Sequence, residues 1–175
     1  MAAPLLLDIG IARFSADGIL DTSFGTGGIV RVVTPDVEWM IDLAVDAADR
    51  ILVSGNHGLD GFVARYNPDG SQDAGFDASG VGSVLVHANG IALDDAGRIL
   101  VVGEANDDLG VVRLLADGSI DTTFGPNGDG LVTADFYGDR DEASDFVIQP
   151  DGRIIVGGVA RNGFTRTVGL ARVLP

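Results

Sequence analysis

The chain has no cysteine and no lysine among its 175 residues, and only two histidines, His57 and His87. Without cysteine there are no disulfide frameworks, thiolate nucleophiles, thiolate zinc sites or iron–sulfur clusters. Without lysine there is no Schiff-base chemistry and no phosphate-loop lysine. Two histidines cannot build a histidine-rich metal centre. Glutamate is scarce as well: 23 of the 26 acids are aspartate. Helical proteins usually expose Glu and Lys, whereas Asp competes with the helix backbone and favours turns. A formal net charge of −15 leaves no cationic surface for nucleic acid or an anionic membrane. Cations, sugars and basic proteins stay open as partners. The segment Met1 to Gly10 has no basic stretch, and Asp8 interrupts its short apolar run, so neither a signal peptide nor membrane insertion is expected.

What the chain does have is 26 glycines beside those aspartates and a 46% apolar content. Turn formers in quantity with enough apolar surface for a core point to an all-β, turn-dense protein and away from a helical bundle or disorder. All 11 cations are arginine, and with heavy Asp, Gly, Ala and Val use this composition fits a GC-rich bacterial genome.

Alignment of the chain against itself yields three related segments: IARFSADGILDTSFG from Ile11, VARYNPDGSQDAGFD from Val63 and VVRLLADGSIDTTFG from Val111. In each, a Gly lies five residues and a Phe eleven residues beyond the Arg: Arg13, Gly18, Phe24; Arg65, Gly70, Phe76; Arg113, Gly118, Phe124. A second mark recurs as RILV at Arg50 and Arg98 and RIIV at Arg153, and a fourth strand Arg closes the series at Arg172. The intervals of 52, 48 and 59 residues between these strand arginines match one four-stranded blade. Strands are predicted over Gly28 to Val33, Trp39 to Asp46, Arg50 to Gly55 and Gly61 to Tyr66, with counterparts in the later units. The second and third are joined by tight hairpin turns: DAAD, DDAG and QPDG. The expectation is a single domain over 1–175. Its units span approximately 11–62, 63–110 and 111–175, and each is a four-stranded antiparallel blade.

The segments VARYNPDGSQDAGF, LADGSIDTTFG and QPDGRIIVGG resemble the delta-60 repeat family, bacterial repeats proposed to form β-propellers. The resemblance covers nearly the whole chain. The middle copy departs from it, with Asp77 where a Gly is expected and a shortened segment before His87. The resemblance implies a propeller-like fold and an extracytoplasmic, adhesion-like or scaffolding setting, and it carries no catalytic residues.

An antiparallel meander sorts such a sequence into two ends. One carries the repeating Asp-Gly turns and Asp-x-x-Phe segments; the other carries loops that differ, over 34–38, 56–60, 87–90, 105–110, 137–143 and 160–167. Function is expected where loops differ, which makes Trp39, His57, His87 and Tyr137 the candidate ligand-binding residues. Asp139, Asp141 and Glu142, close together in one loop, are the candidate metal ligands, with calcium as the cation suited to carboxylates. Asp21, Asp73 and Asp121 are read as pairing with the Arg eight residues earlier or capping a turn, with calcium ligation as the other reading; an EF-hand is excluded because Arg65 and Phe76 would fall at ligand positions. Phe24, Phe76 and Phe124 are expected to plug the space between units.

The functional expectation is a non-enzymatic binding or scaffolding module with a carbohydrate or protein ligand on the variable end. The alternative is a glycan hydrolase or lyase using an acid pair there. Because three blades leave strand edges open, self-association into a homo-oligomer is expected, most simply two copies forming a six-bladed ring, with the segment Leu5 to Phe14 pairing across the join.

Overall fold

The computed structural model describes residues 9–32, 38–58, 60–76 and 81–174, and all its regular structure is β. Thirteen strands are formed among these residues: β1 (Ile9–Ala12), β2 (Ile29–Val32), β3 (Glu38–Val45), β4 (Ile51–His57), β5 (Asp60–Tyr66), β6 (Val81–Val84), β7 (His87–Leu93), β8 (Ile99–Ala105), β9 (Asp108–Leu114), β10 (Leu131–Ala134), β11 (Glu142–Ile148), β12 (Ile154–Asn162) and β13 (Thr165–Val173). Among the described residues no helix is long and apolar enough to cross a membrane. The departure at Asp77, the loop 34–37 and the start of the leading segment lie outside the described residues.

The strands form four antiparallel sheets: β1–β2, β3 to β6 in chain order, β7 to β10 in chain order, and β11 to β13. This corrects the expected three four-stranded blades. The strand that begins near Gly28 pairs with β1, through Ile11↔Val30 and Ala12↔Ile29, and not with β3. The leading strand therefore does have a partner within its own chain. Likewise β13, expected as a fourth strand, is the third and outermost of its sheet. The physical reason is the pairing across long connections. The segment 67–80 joins two strands of one sheet, whereas Leu85 and Val86 suffice to cross from one sheet to the next.

The hairpin turns before Arg50 and Arg98 are each closed by one carboxylate. The Asp46 side chain accepts the amides of Ala48 and Arg50, both at 2.9 Å, and the Arg50 Nε at 2.7 Å. Asp94 repeats this with Ala96 and Arg98. These Asx turns satisfy backbone donors that the reversal would orphan.

The sheets stack face to face in chain order, with β7 against β3 and β4, and β11 against β7 and β8. Apolar residues fill each of the three gaps. Ile11, Phe24 and Val30 meet Val53, Phe62 and Ala64 in the first. Leu52, Val63 and Phe76 meet Ile91, Val101 and Leu114 in the second. Leu100, Val111 and Phe124 meet Ala143, Ile154 and Val156 in the third. An inner strand such as β4 thus faces a neighbouring sheet on both sides, which explains why its sequence is apolar almost without alternation.

Candidate functional site

The repeating end is built from a device found in three copies. Arg13, Arg65 and Arg113 each donate Nε to an Oδ2 at 2.8 Å, on Asp21, Asp73 and Asp121 respectively. Each guanidinium also lies over the ring of its unit's Phe, 4.7, 4.6 and 4.4 Å from the centroids of Phe24, Phe76 and Phe124. The three Phe side chains are buried between sheets, as their spacing predicts. Sequence reasoning found the Arg–Asp pair and the Phe plug but missed that one guanidinium serves both, although the fixed spacing of five, eight and eleven was the available signal. Two of the arginines reach further: Arg13 Nη1 donates to the Pro68 carbonyl and Arg65 Nη1 to the Ala116 carbonyl, each in the following unit.

The other oxygen of each carboxylate is also engaged. Asp21 Oδ1 accepts the Ser23 amide, Asp73 Oδ1 the Gly75 amide and Asp121 Oδ1 the Thr123 amide. The Ser23 hydroxyl and amide, then Arg13, hold the Asp21 carboxyl below the usual range. For Asp73 the Gly75 amide leads, opposed by burial and reinforced by Arg65. At Asp121 burial opposes ionisation, but hydrogen bonds from Thr123 and Arg113 outweigh it and lower the pKa. These carboxylates are committed to chain donors, which is the chemistry of a structural latch.

Register places every candidate ligand residue at the opposite end. Trp39 is the second residue of β3, His57 closes β4, His87 opens β7, and Tyr137 lies in the connection from β10 to β11. Trp39 and Tyr137 are exposed, at 65% and 54% of their full surface. In the strand register His57 lies opposite Glu38 and His87 opposite Glu104.

The loop that carries the candidate metal ligands is organised by backbone amides. Asp139 Oδ2 accepts the Gly163 amide at 3.0 Å, and the Glu142 carboxylate accepts Asn89 Nδ2 at 3.0 Å, tying β11 to β7. Asp141, fully buried, accepts the Arg161 amide at 3.0 Å and the Phe136 amide at 2.8 Å. The structure groups Asp141 differently from the loop sequence: carboxylate oxygens of Asp108, Asp135 and Asp141 lie within 4.8 Å of one another. Burial, then the charges of Asp135, Asp141 and Asp107, push the Asp108 carboxyl above its ordinary value. Three carboxylates so placed suit a hard cation, and a carboxyl whose pKa is raised is shifted in the direction that proton donation needs. Sequence reasoning missed Asp135, which lies in the same β10–β11 connection as Asp141 but outside the loop 137–143, and Asp108, which opens β9 and is brought alongside by the fold. A neighbouring tie, Arg140 to Glu104, links the same loop to β8.

Three stretches of the chain, 49–76, 97–124 and 149–175, match the family model described as "Domain of unknown function (DUF5122) beta-propeller". The first two stretches run from the hairpin turn through two strands to the plugging Phe. No curated protein matches the chain. Among solved structures, it is similar to one from Bacteroides caccae, a protein of unknown function, at 13% identity and a TM-score of 0.51. The similarity covers 94% of this chain and 53% of that one, so the chain spans about half the length of the structure it matches. Repeated family matches on a stack of small antiparallel sheets make this chain a β-propeller-like repeat protein.

Proposed function

We propose that the chain is a binding module whose ligand, a carbohydrate, docks on the end formed by the non-repeating loops. The observation that carries this reading is the exposure of Trp39 and Tyr137 there, while the Phe that recurs in each unit at the other end, Phe24, Phe76 and Phe124, is buried. Exposed aromatic faces offer apolar area for a sugar ring, and nearby carboxylates supply acceptors for its hydroxyls. The repeating end instead uses its charges to hold the stack together.

A second reading, a glycan hydrolase or lyase, is favoured by one feature: the Asp108 carboxyl is raised by burial and by the neighbouring Asp135, the direction a general acid of a carboxylate pair requires. A glycan array probed with and without calcium, followed by product analysis of each hit, separates the two. Retention of an intact glycan, lost in Trp39→Ala and Tyr137→Ala, is the expected result. Cleavage that disappears in Asp108→Asn would replace the module by the enzyme, and no binding to any glycan would remove the carbohydrate reading.

A further inference from the structure

The three filled gaps between sheets define what each face of a unit normally meets, and on the two outermost faces of the stack the equivalent positions have nothing over them among the described residues. On the trailing face, β13 pairs with β12 through Gly157↔Leu170 and Ile155↔Arg172, the register by which β9 pairs with β8 through Val102↔Val111 and Leu100↔Arg113. Leu170 therefore stands where Val111 stands, and Val168 where Leu109 stands. Val111 and Leu109 are 0% and 1% exposed, beneath the next sheet; Leu170 and Val168 are 67% and 81% exposed. Val147, paired with Ile155 on the same face, is 59% exposed.

The leading face shows the converse. Phe14 occupies the position of Tyr66 and Leu114, which are buried against the preceding sheet, yet it is 59% exposed. Ala12 is exposed where Ala64 and Val112 are wholly buried. Gly18 completes the pattern. A Cβ on its equivalents would strike the preceding unit, at 2.6 Å from Val30 for Gly70 and 2.8 Å from Phe76 for Gly118, whereas at Gly18 there is open space. The apolar area on each face favours burial, and the internal gaps show what shape covers it.

We propose that the trailing face of one copy stacks on the leading face of a second copy, head to tail, continuing the packing already made three times within the chain. Such a contact is heterologous: different surfaces meet, and it closes into a ring only if the rotation allows. Two copies would bring eight sheets, not six, because each chain carries four; that lies within the roughly four to eight blades of closed propellers. The register specifies a polar contact too. Arg13 and Arg65 each donate to the carbonyl three residues past the next unit's Arg, so Arg172 is set to reach the Ala16 carbonyl of the second copy.

The test is the mass of the full chain by light scattering at tens of micromolar, for wild type, Leu170→Asp and Phe14→Asp. Both substituted side chains are exposed, so the single chain keeps its fold, and Val168→Asp and Ala12→Asp serve as a second pair. The expected result is a wild-type mass that is a multiple of 18.0 kDa and each variant a monomer. An equal mixture of Leu170→Asp and Phe14→Asp should then regain a two-chain species, since each keeps the face the other has lost. A monomeric wild type overturns the proposal, as does a mixture that stays monomeric. Association that survives Phe14→Asp but not Leu170→Asp would mean like faces meet, and association that survives both would mean pairing through strand edges; either result also overturns it.

Discussion

At the repeating end of the stack the latch carboxylates Asp21, Asp73 and Asp121 are surrounded by donors, and at the variable end Asp108, Asp135 and Asp141 face one another. Asp121 has Arg113 and Thr123 and is held ionised. Asp108 has burial and three neighbouring aspartates, and its ionisation is disfavoured. The same residue type is a latch in one place and a poised group in the other, and only its neighbours differ. The repeating end stabilises the fold, while the variable end carries a local electrostatic cost. Such a cost is tolerated where chemistry or binding uses it.

The largest expected break in this contrast comes from the buried plug and its buried pair. Phe76→Ala removes a wholly buried ring and should cost about 3–5 kcal/mol, whereas Trp39→Ala, at an exposed position, should stay within about 0.5 kcal/mol. Urea denaturation of the two variants measures both.

A finer gradation should appear among the three latches. Arg113 and Asp121 have side chains only 5% exposed, so Asp121→Ala strands a buried guanidinium and should cost about 3–5 kcal/mol. For Asp73→Ala the partner Arg65 is also buried but Asp73 itself is more open, and about 1–3 kcal/mol is expected. Asp21→Ala should have the least effect, because Arg13 is 36% exposed and water can replace the lost partner. Equal losses at all three positions would show that burial does not set the strength of the latch.

The smallest effect separates the ends by pH. Asp21, Asp46, Asp73 and Asp121 have lowered pKa values in the fold. Their stabilisation is complete above the unfolded value of about 3.9 and is lost as pH falls through the folded values. Asp108 is raised, so its sign is opposite: it weakens the fold once ionised and ceases to do so as pH falls through its folded pKa. Asp108→Asn should therefore raise the melting temperature near neutral pH and leave it unchanged in acid. Thermal melts across pH, in which this variant gained nothing near neutrality, would show that the aspartates around Asp108 do not strain the fold.

The spacing of Arg, Asp and Phe made the latches legible before any coordinates, because a unit repeated in sequence must repeat its contacts. The two ends were legible as well, since an antiparallel meander alternates its connections whatever its sheets. Sheet membership was not. The strand near Gly28 can follow or precede a blade boundary with identical sequence, and hydrogen bonding to β1 decides it. Nor could the β10–β11 loop sequence reveal that Asp108, at the start of β9, is grouped with its Asp135 and Asp141.

By itself, then, the sequence determined an all-β repeat, its turn chemistry and its buried Phe and Arg–Asp pairs, because these depend on local spacing and on what a β strand presents to each face. The tertiary structure decided that the sheets hold two, four, four and three strands among the described residues, that each guanidinium bridges a carboxylate and a ring, and that Asp108 of β9 comes beside Asp135 and Asp141 of the β10–β11 connection. The first and the last follow from pairing or packing between residues distant in the chain, whose order leaves more than one arrangement open, whereas the bridge depends on a side-chain placement that its short spacing permits but does not dictate.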